Sequence, residues 1–250
     1  MIRPAASAAS AFARGPFQAG GVVILEEEEA HHLRVRRFED GTQVRLLDGR
    51  GGIATARLAL EQGGGVCAAR VVATTLVPPP PATELLLAAG DKDRFLLAVE
   101  KATELGATRV VPVITERSQQ VATRFQAVHV EKAARRAREA LKQCGAAWMP
   151  AVPAPAPLTD VLKPPAPTFL RFLADPDGSP MPPLREGDAV QWAIGPEGGF
   201  TDVELGALRA AGFRPVALGR AILRFDTAAL AALTLSAQAR LVAHVQGVPT

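Results

Sequence analysis

The chain has 250 residues, 48% apolar and 21% charged, which gives it enough length for one large or two modest cores and excludes disorder as the main state. Lysine and arginine total 28 against 25 acidic residues, a net charge of +3, which excludes a strongly charged arm as the main binding device. The two cysteines, Cys67 and Cys144, exclude a disulfide framework, and a reduced cytoplasmic protein is expected. Met1 to Phe17 is rich in alanine and arginine but lacks the apolar stretch of a secretion signal. Every apolar run is interrupted by charge or proline before the roughly 18 residues of a membrane span, so no membrane partner is expected.

Short strand-like runs come first: Val44–Leu47, Ile53–Leu60 and Val66–Val72. They are separated by Asp48-Gly49-Arg50-Gly51-Gly52 and Glu61-Gln62-Gly63-Gly64-Gly65, both turn compositions. A small β domain over residues 1–76 is predicted. Pro78 to Pro81 cannot donate backbone hydrogen bonds and marks a stiff linker over residues 77–81. The rhythm then changes. Glu84–Ala89 reads as a strand, Asp93–Leu105 as a helix closed by Gly106, Arg109–Ile114 as a strand and Gln126–Gln143 as a helix closed by Gly145. Pro150 through Pro167 is a proline-rich loop. Beyond it, Thr168–Ala174 and Asp188–Ile194 read as strands, and Thr201-Asp202-Val203-Glu204 as a capping box opening a helix. Pro215–Leu218 is a last short strand, followed by an alanine-rich helix from Thr227 to about Val245. Strands alternating with helices predict an α/β domain with a parallel sheet over residues 82–250.

Ligands of such sheets bind beyond the carboxyl ends of the strands, which singles out three segments. They are Leu173-Ala174-Asp175-Pro176, Gly195-Pro196-Glu197-Gly198-Gly199-Phe200, and Leu218 through Thr227. Gly195–Gly199 reads either as a tight turn or as a loop offering backbone groups to a ligand; it matches neither GxGxxG nor GxxxxGK[ST]. The third segment sets Leu218, Ile222 and Leu223 beside Arg224 and Asp226, a mixture suited to an apolar wall next to a reacting centre.

Four stretches together carry a family resemblance: Ile194-Gly-Pro-Glu-Gly-Gly-Phe200, Leu218-Gly-Arg-Ala-Ile-Leu-Arg224 with Thr227-Ala228, Glu100-Lys-Ala-Thr-Glu-Leu-Gly106, and His31-His32-Leu33-Arg34-Val35-Arg36. In this order they resemble the 16S ribosomal RNA uracil-N3 methyltransferases of the RsmE type, within the SPOUT class. The resemblance spans about His31 to Leu241. It implies an N-terminal PUA-like β-barrel for RNA contact, a C-terminal α/β domain with a deep trefoil knot, and a homodimer. It also implies S-adenosyl-L-methionine as cofactor, and 16S rRNA in the small ribosomal subunit as substrate. No metal is implied, and the four histidines and two cysteines show no metal-ligand spacing. The chain departs from the family in two places. Lys142-Gln143-Cys144-Gly145-Ala146 stands where the family has Glu-Gln-(Ser/Cys)-Gly-Arg, and Asp226 stands where glutamate is usual.

The resemblance implies a cofactor site at Leu173, Ala174, Gly195, Pro196, Glu197, Gly198, Gly199, Leu218, Gly219, Ile222, Leu223 and Thr227. Uracil N3 carries a proton at neutral pH, so methylation needs its removal and tolerance of an anion spread over O2 and O4. Arg224 is the candidate for stabilising that charge. Asp226 is the candidate for orienting Arg224 or accepting the proton; the alternative is a pair that only caps the last helix. Expected RNA contacts are His32, Arg34, Arg36 and Arg37 in the first domain, with Lys92, Arg94, Lys101, Arg135 and Lys142 in the second. With tyrosine absent, stacking on successive bases is not the expected mode.

Three other readings remain: a knotted methyltransferase for tRNA or another rRNA nucleotide, a non-catalytic assembly factor, and a phosphate-binding enzyme using Gly195–Gly199. Charge is unevenly placed, with 9 basic and 8 acidic residues over 1–74, 11 and 8 over 82–150, and 8 and 9 over 151–250. The positive excess lies away from the expected cofactor loops.

Overall fold

The computed structural model describes residues 9–60, 67–162 and 169–246. The expected turn at Glu61–Gly65 and the predicted strand starts at Val66 and Thr168 lie outside the described residues. The chain forms two compact units, one of Met1–Pro79 with Arg138–Met149, the other of Pro80–Ala137 with Pro150–Thr250. Residues 138–149 thus pack with the first unit, whereas the sequence reading gave all of 82–250 to the second.

In the first unit, β1 (Ala9–Phe12), β2 (Val22–Ile24), β3 (Gln43–Leu47), β4 (Gly52–Leu60) and β5 (Cys67–Leu76) form one sheet in the order β1-β3-β4-β5-β2. All pairs are antiparallel except β1 with β3. The β3–β4 turn is the Asp48–Gly52 segment, where the Asp48 carboxylate accepts from the Arg50 and Gly52 amides at 2.7 and 2.8 Å. Gly51 has φ 98°, and a Cβ there would meet the Val77 carbonyl oxygen at 2.5 Å, so only glycine fits. Between β2 and β3 lies α1 (Glu27–Val35), whose acidic first turn suits the positive end of its dipole. Alternating strand positions Val44, Leu46, Ala54, Ala56 and Leu58 meet Leu33 of α1 in the core. From residues 138–149, Leu141 packs on Phe12 and Leu47, and Trp148 Nε1 donates to the Val77 carbonyl at 3.0 Å.

The second unit holds β6 (Thr83–Ala88), α2 (Lys92–Glu104), β7 (Arg109–Ile114), α3 (Val130–Cys144, shared with the first unit), β8 (Ala156–Pro157) and α4 (Leu158–Val161). Then come β9 (Leu170–Ser179), β10 (Val190–Ile194), α5 (Asp202–Ala210), β11 (Arg214–Val216) and α6 (Phe225–Gln246). The six strands pair in parallel in the order β11-β9-β10-β6-β7-β8. The proline-rich loop therefore contributes the edge strand β8. Every residue of β10, Val-Gln-Trp-Ala-Ile, is buried, as a strand covered on both faces requires. Ala193 packs toward Leu208 of α5 and Phe213 just beyond it, while Trp192 donates from Nε1 to Ser236 Oγ of α6 at 2.8 Å. The predicted capping box is present: Thr201 Oγ1 accepts from the Glu204 amide and Glu204 Oε2 from the Thr201 amide.

One expectation needs correction. Phe225–Val245 is long and apolar enough, by length and composition, to cross a membrane, with a mean hydropathy of 1.3. Its apolar character has a structural use, since α6 packs on β6, β10 and α2. Arg240 of α6 donates to the Ala82 and Asp188 carbonyls and to Thr83 Oγ1.

Candidate functional site

A cavity of about 280 Å³ opens at the carboxyl ends of β9, β10 and β11. The three segments singled out by sequence converge there. Leu173, Ala174, Gly195, Pro196, Glu197, Gly199, Leu218, Gly219, Ile222 and Leu223 all line it. Gly198 and Thr227 do not: Gly198 faces Arg117 on the outside of its loop, and Thr227 is exposed on the first turn of α6. Leu173–Pro176 lies within β9, not in a loop beyond it, because that strand runs on to Ser179. The lining is completed by Asp175, Pro176, Ile194, Phe200, Leu205, Ala221, Phe225 and Ala228, of which only Ile194, Leu205 and Ala228 lie outside the three segments. Among the described residues the cavity wall holds two carboxylates, Asp175 and Glu197, and no lysine, arginine or histidine.

Backbone geometry shapes the loop after β10. The Gly199 amide donates to the Pro196 carbonyl at 2.8 Å, closing a turn, and Gly199 has φ 72°, which favours glycine. Glu197 and Phe225 both approach Gly90, at the end of β6, to within 3.3 Å of where a Cβ would stand.

Arg224 and Asp226 flank the cavity without lining it, and they do not pair as expected. Arg224 is exposed and forms no ion pair among the described residues; its carbonyl accepts from the Ala228 amide at 2.8 Å as α6 begins. Asp226 lies in the first turn of α6, only 8% exposed, with Oδ2 3.5 Å from Nη1 of Arg94 on α2. Its Oδ1 is buried without a hydrogen-bond partner among the described residues. Two residues apart on a helical turn, 224 and 226 point in different directions, so the carboxylate meets a cation from another helix.

Comparison with known proteins matches this architecture. Residues 78–237 match the family model of the RNA methyltransferase domain, and residues 25–69 that of the RNA methyltransferase PUA domain. The chain belongs to the RNA methyltransferase family. A ribosomal RNA small subunit methyltransferase E from Synechocystis is 34% identical to this family member over 224 residues, 84% of this chain and 71% of the relative. The Mycobacterium bovis protein of the same description is 32% identical over 236 residues, 86% of this chain and 85% of the relative. Among solved structures, the Neisseria gonorrhoeae ribosomal RNA small subunit methyltransferase E bound to S-adenosyl methionine superposes with TM-score 0.81. It is 26% identical, over 93% of this chain and 98% of that one. A Legionella pneumophila methyltransferase structure in complex with SAM gives TM-score 0.82 at 26% identity and the same coverage.

For an RNA methyltransferase the disposition of basic groups matters, and the structure divides the expected set. His32, Arg36, Arg37 and Arg135 are exposed. Arg34 is paired with Glu27. Lys101 lies 2.9 Å from Glu100 and 2.8 Å from Glu104, and those hydrogen bonds raise its pKa, Glu104 contributing most. Arg94 is held by Asp226, and Lys92 is half-buried at the start of α2. Lys142 is the clear correction. Its ammonium sits 2.6 Å from Glu29 and 2.8 Å from Glu139, with the Lys142 and Glu29 side chains only 10% and 9% exposed. A lysine so buried between carboxylates is not presented to a phosphate. Glu29, His32 and Glu139 also place one ligand atom each within 4.8 Å of one another, the kind of group that can hold a metal. Lys142 already supplies the positive charge there.

Sequence reading missed Arg117. Its Nη1 donates to the Gly198 carbonyl and, at 3.3 Å, to that of Phe200, holding the glycine loop from outside. No linear pattern pairs residue 117 with residue 198; only the adjacency of their loops does.

Proposed function

We propose that this chain is an S-adenosylmethionine-dependent enzyme that methylates N3 of a uracil in 16S rRNA of the small ribosomal subunit, as a cytoplasmic homodimer. The observation that carries this reading is the cavity wall: apolar side chains, backbone turns and two carboxylates at the carboxyl ends of parallel strands, without a basic group among the described residues. Such a wall suits an adenine ring and a cationic sulfonium, and it disfavours the phosphate-binding alternative. Leu173, Ile194, Leu218 and Leu223 would enclose the apolar parts of the cofactor, with Glu197 and Asp175 near its positive charge. About 280 Å³ is close to the lower end, roughly 300 Å³, of pockets that hold such molecules. When bound, the cofactor supplies an electrophilic methyl group.

The remaining work falls to side chains beside the cavity. Arg224, exposed between the lining residues Leu223 and Phe225, stabilises negative charge on O2 and O4 of the base. Asp226 is the group that takes the N3 proton, and because its Oδ1 is buried without a hydrogen-bond partner among the described residues, that oxygen must become exposed when the base binds. Arg94 keeps that carboxylate in place through Oδ2. Exposed His32, Arg36 and Arg37 of the first unit serve as RNA contacts, and exposed Arg135 of the second does so separately. Leu235, Leu241, Val242 and Val245 leave an exposed apolar row on α6 that supports pairing with a second copy. The trefoil knot implied by the resemblance belongs to the same proposal.

Mapping N3-methyluridine in 16S rRNA from cells lacking the protein, with and without its restoration, tests the substrate. The mark should vanish and return at one nucleotide. An unchanged methylation map would overturn the reading, and a change confined to tRNA would favour the alternative substrate.

A further inference from the structure

The loop that borders the cavity is fastened from its outer side by a residue that never touches the cavity. Arg117 follows β7, on a turn made rigid by its neighbours: Ser118 Oγ accepts from the Thr115 amide at 2.9 Å and donates to the Thr115 carbonyl at 3.0 Å. Thr115 and Ser118 are both buried, so the base of the arginine is fixed. From it, Nη1 donates to the carbonyls of Gly198 and Phe200. A second tie runs parallel, the Glu116 amide donating to Glu204 Oε1 at 2.8 Å while Oε2 of that carboxylate caps Thr201. The inner side of the same loop, at Gly195, Glu197, Gly199 and Phe200, lines the cavity. The approach is close: a Cβ on Gly198 would stand 3.2 Å from Arg117 Cδ.

We infer that Arg117 is a positioning residue that sets the affinity for S-adenosylmethionine by holding the Gly195–Phe200 loop in its ligand-ready form. This rests on the cofactor reading above. A loop of glycines has many accessible conformations, and one that must be ordered on binding spends part of the binding free energy doing so. Two carbonyls tied to a guanidinium order it beforehand. Once cofactor is bound the loop reaches the same geometry with or without the arginine, so affinity should change while turnover at saturation should not.

Calorimetric titration of the full-length protein with S-adenosylmethionine tests this. Arg117→Ala should raise Kd about tenfold, equivalent to about 1.4 kcal/mol, with kcat at saturating cofactor within about twofold of wild type. Arg117→Lys, which keeps the charge and one donor group, should fall between. Gly198→Ala, which pushes the arginine away without removing it, should weaken binding alone but add little to Arg117→Ala, because the clash disappears with the side chain. This variant also carries the test if Arg117→Ala fails to fold. A Kd within twofold of wild type for Arg117→Ala, or full additivity of the two substitutions, would overturn the role of Arg117 alone. Wild-type protein that shows no saturable heat would overturn the cofactor reading as well.

Discussion

The two candidate binding regions are built from opposite materials. The cavity of the second unit is made of turns, strand ends and apolar side chains, and it has no basic group among the described residues. The polar surface formed by α1 and residues 138–149 of the first unit is made of long charged side chains, several of them already committed to one another. In the cavity, backbone shape decides what fits. On the charged surface, the identity of each internal partner decides which cations remain to meet RNA.

The sharpest way to break this contrast is at Arg224. Arg224→Ala should lower methyl transfer by about 10²- to 10³-fold, while the Kd for S-adenosylmethionine stays within about threefold. Near-normal turnover would show that the cavity needs no outside cation. Next comes Lys142. Lys142→Met should destabilise the protein by about 3–5 kcal/mol in urea titrations, because Glu29 is left buried without a counter-charge. The salt dependence of RNA affinity should not change with it. If the slope of log K against log salt falls instead, Lys142 is a phosphate contact after all.

Arg37→Ala should do the reverse. Stability should hold within about 0.5 kcal/mol, and the salt slope should drop by about 1 unit. Asp91, the N-cap of α2, offers the smallest effect. The Thr123 hydroxyl, followed by the Arg94 and Asp93 amides, holds its carboxyl below the usual carboxylate range against the opposing effect of burial. A lowered folded pKa means stability that is complete above the unfolded value of about 3.9 and is lost as pH falls through the folded one. Asp91→Asn should therefore make acid unfolding shallower below about pH 4, read by circular dichroism. An unchanged acid limb would assign the pH response to other carboxylates.

The same contrast explains what the sequence disclosed. Gly195–Phe200 and Thr201–Glu204 were legible because glycine, proline and a capping pair determine backbone shape within a few residues. The strands from Glu84 and Arg109 were legible because a fully buried parallel strand is a continuous apolar run. Short β1 and β2 were not, since their pairing with β3 and β5 comes from far along the chain. Nor was the fate of the cations. Glu29 is 113 residues from Lys142, and Arg94 is 132 from Asp226, so spacing within a helix suggests a basic face but cannot say which bases are spent. Asp226 was expected just ahead of a helix starting at Thr227 and beside Arg224, whereas α6 starts at Phe225, Asp226 lies in its first turn, and its partner is Arg94.

The tryptophans carry a practical consequence. There are two, and no tyrosine, so intrinsic emission comes from indole alone. Trp148 falls in the first unit, half-buried with Nε1 on the Val77 carbonyl; Trp192 falls in the second, fully enclosed beside Phe172 with Nε1 on Ser236. The dry indole emits at shorter wavelength than the wetter one, so each unit carries its own optical label and the spectrum separates their melting without any added dye.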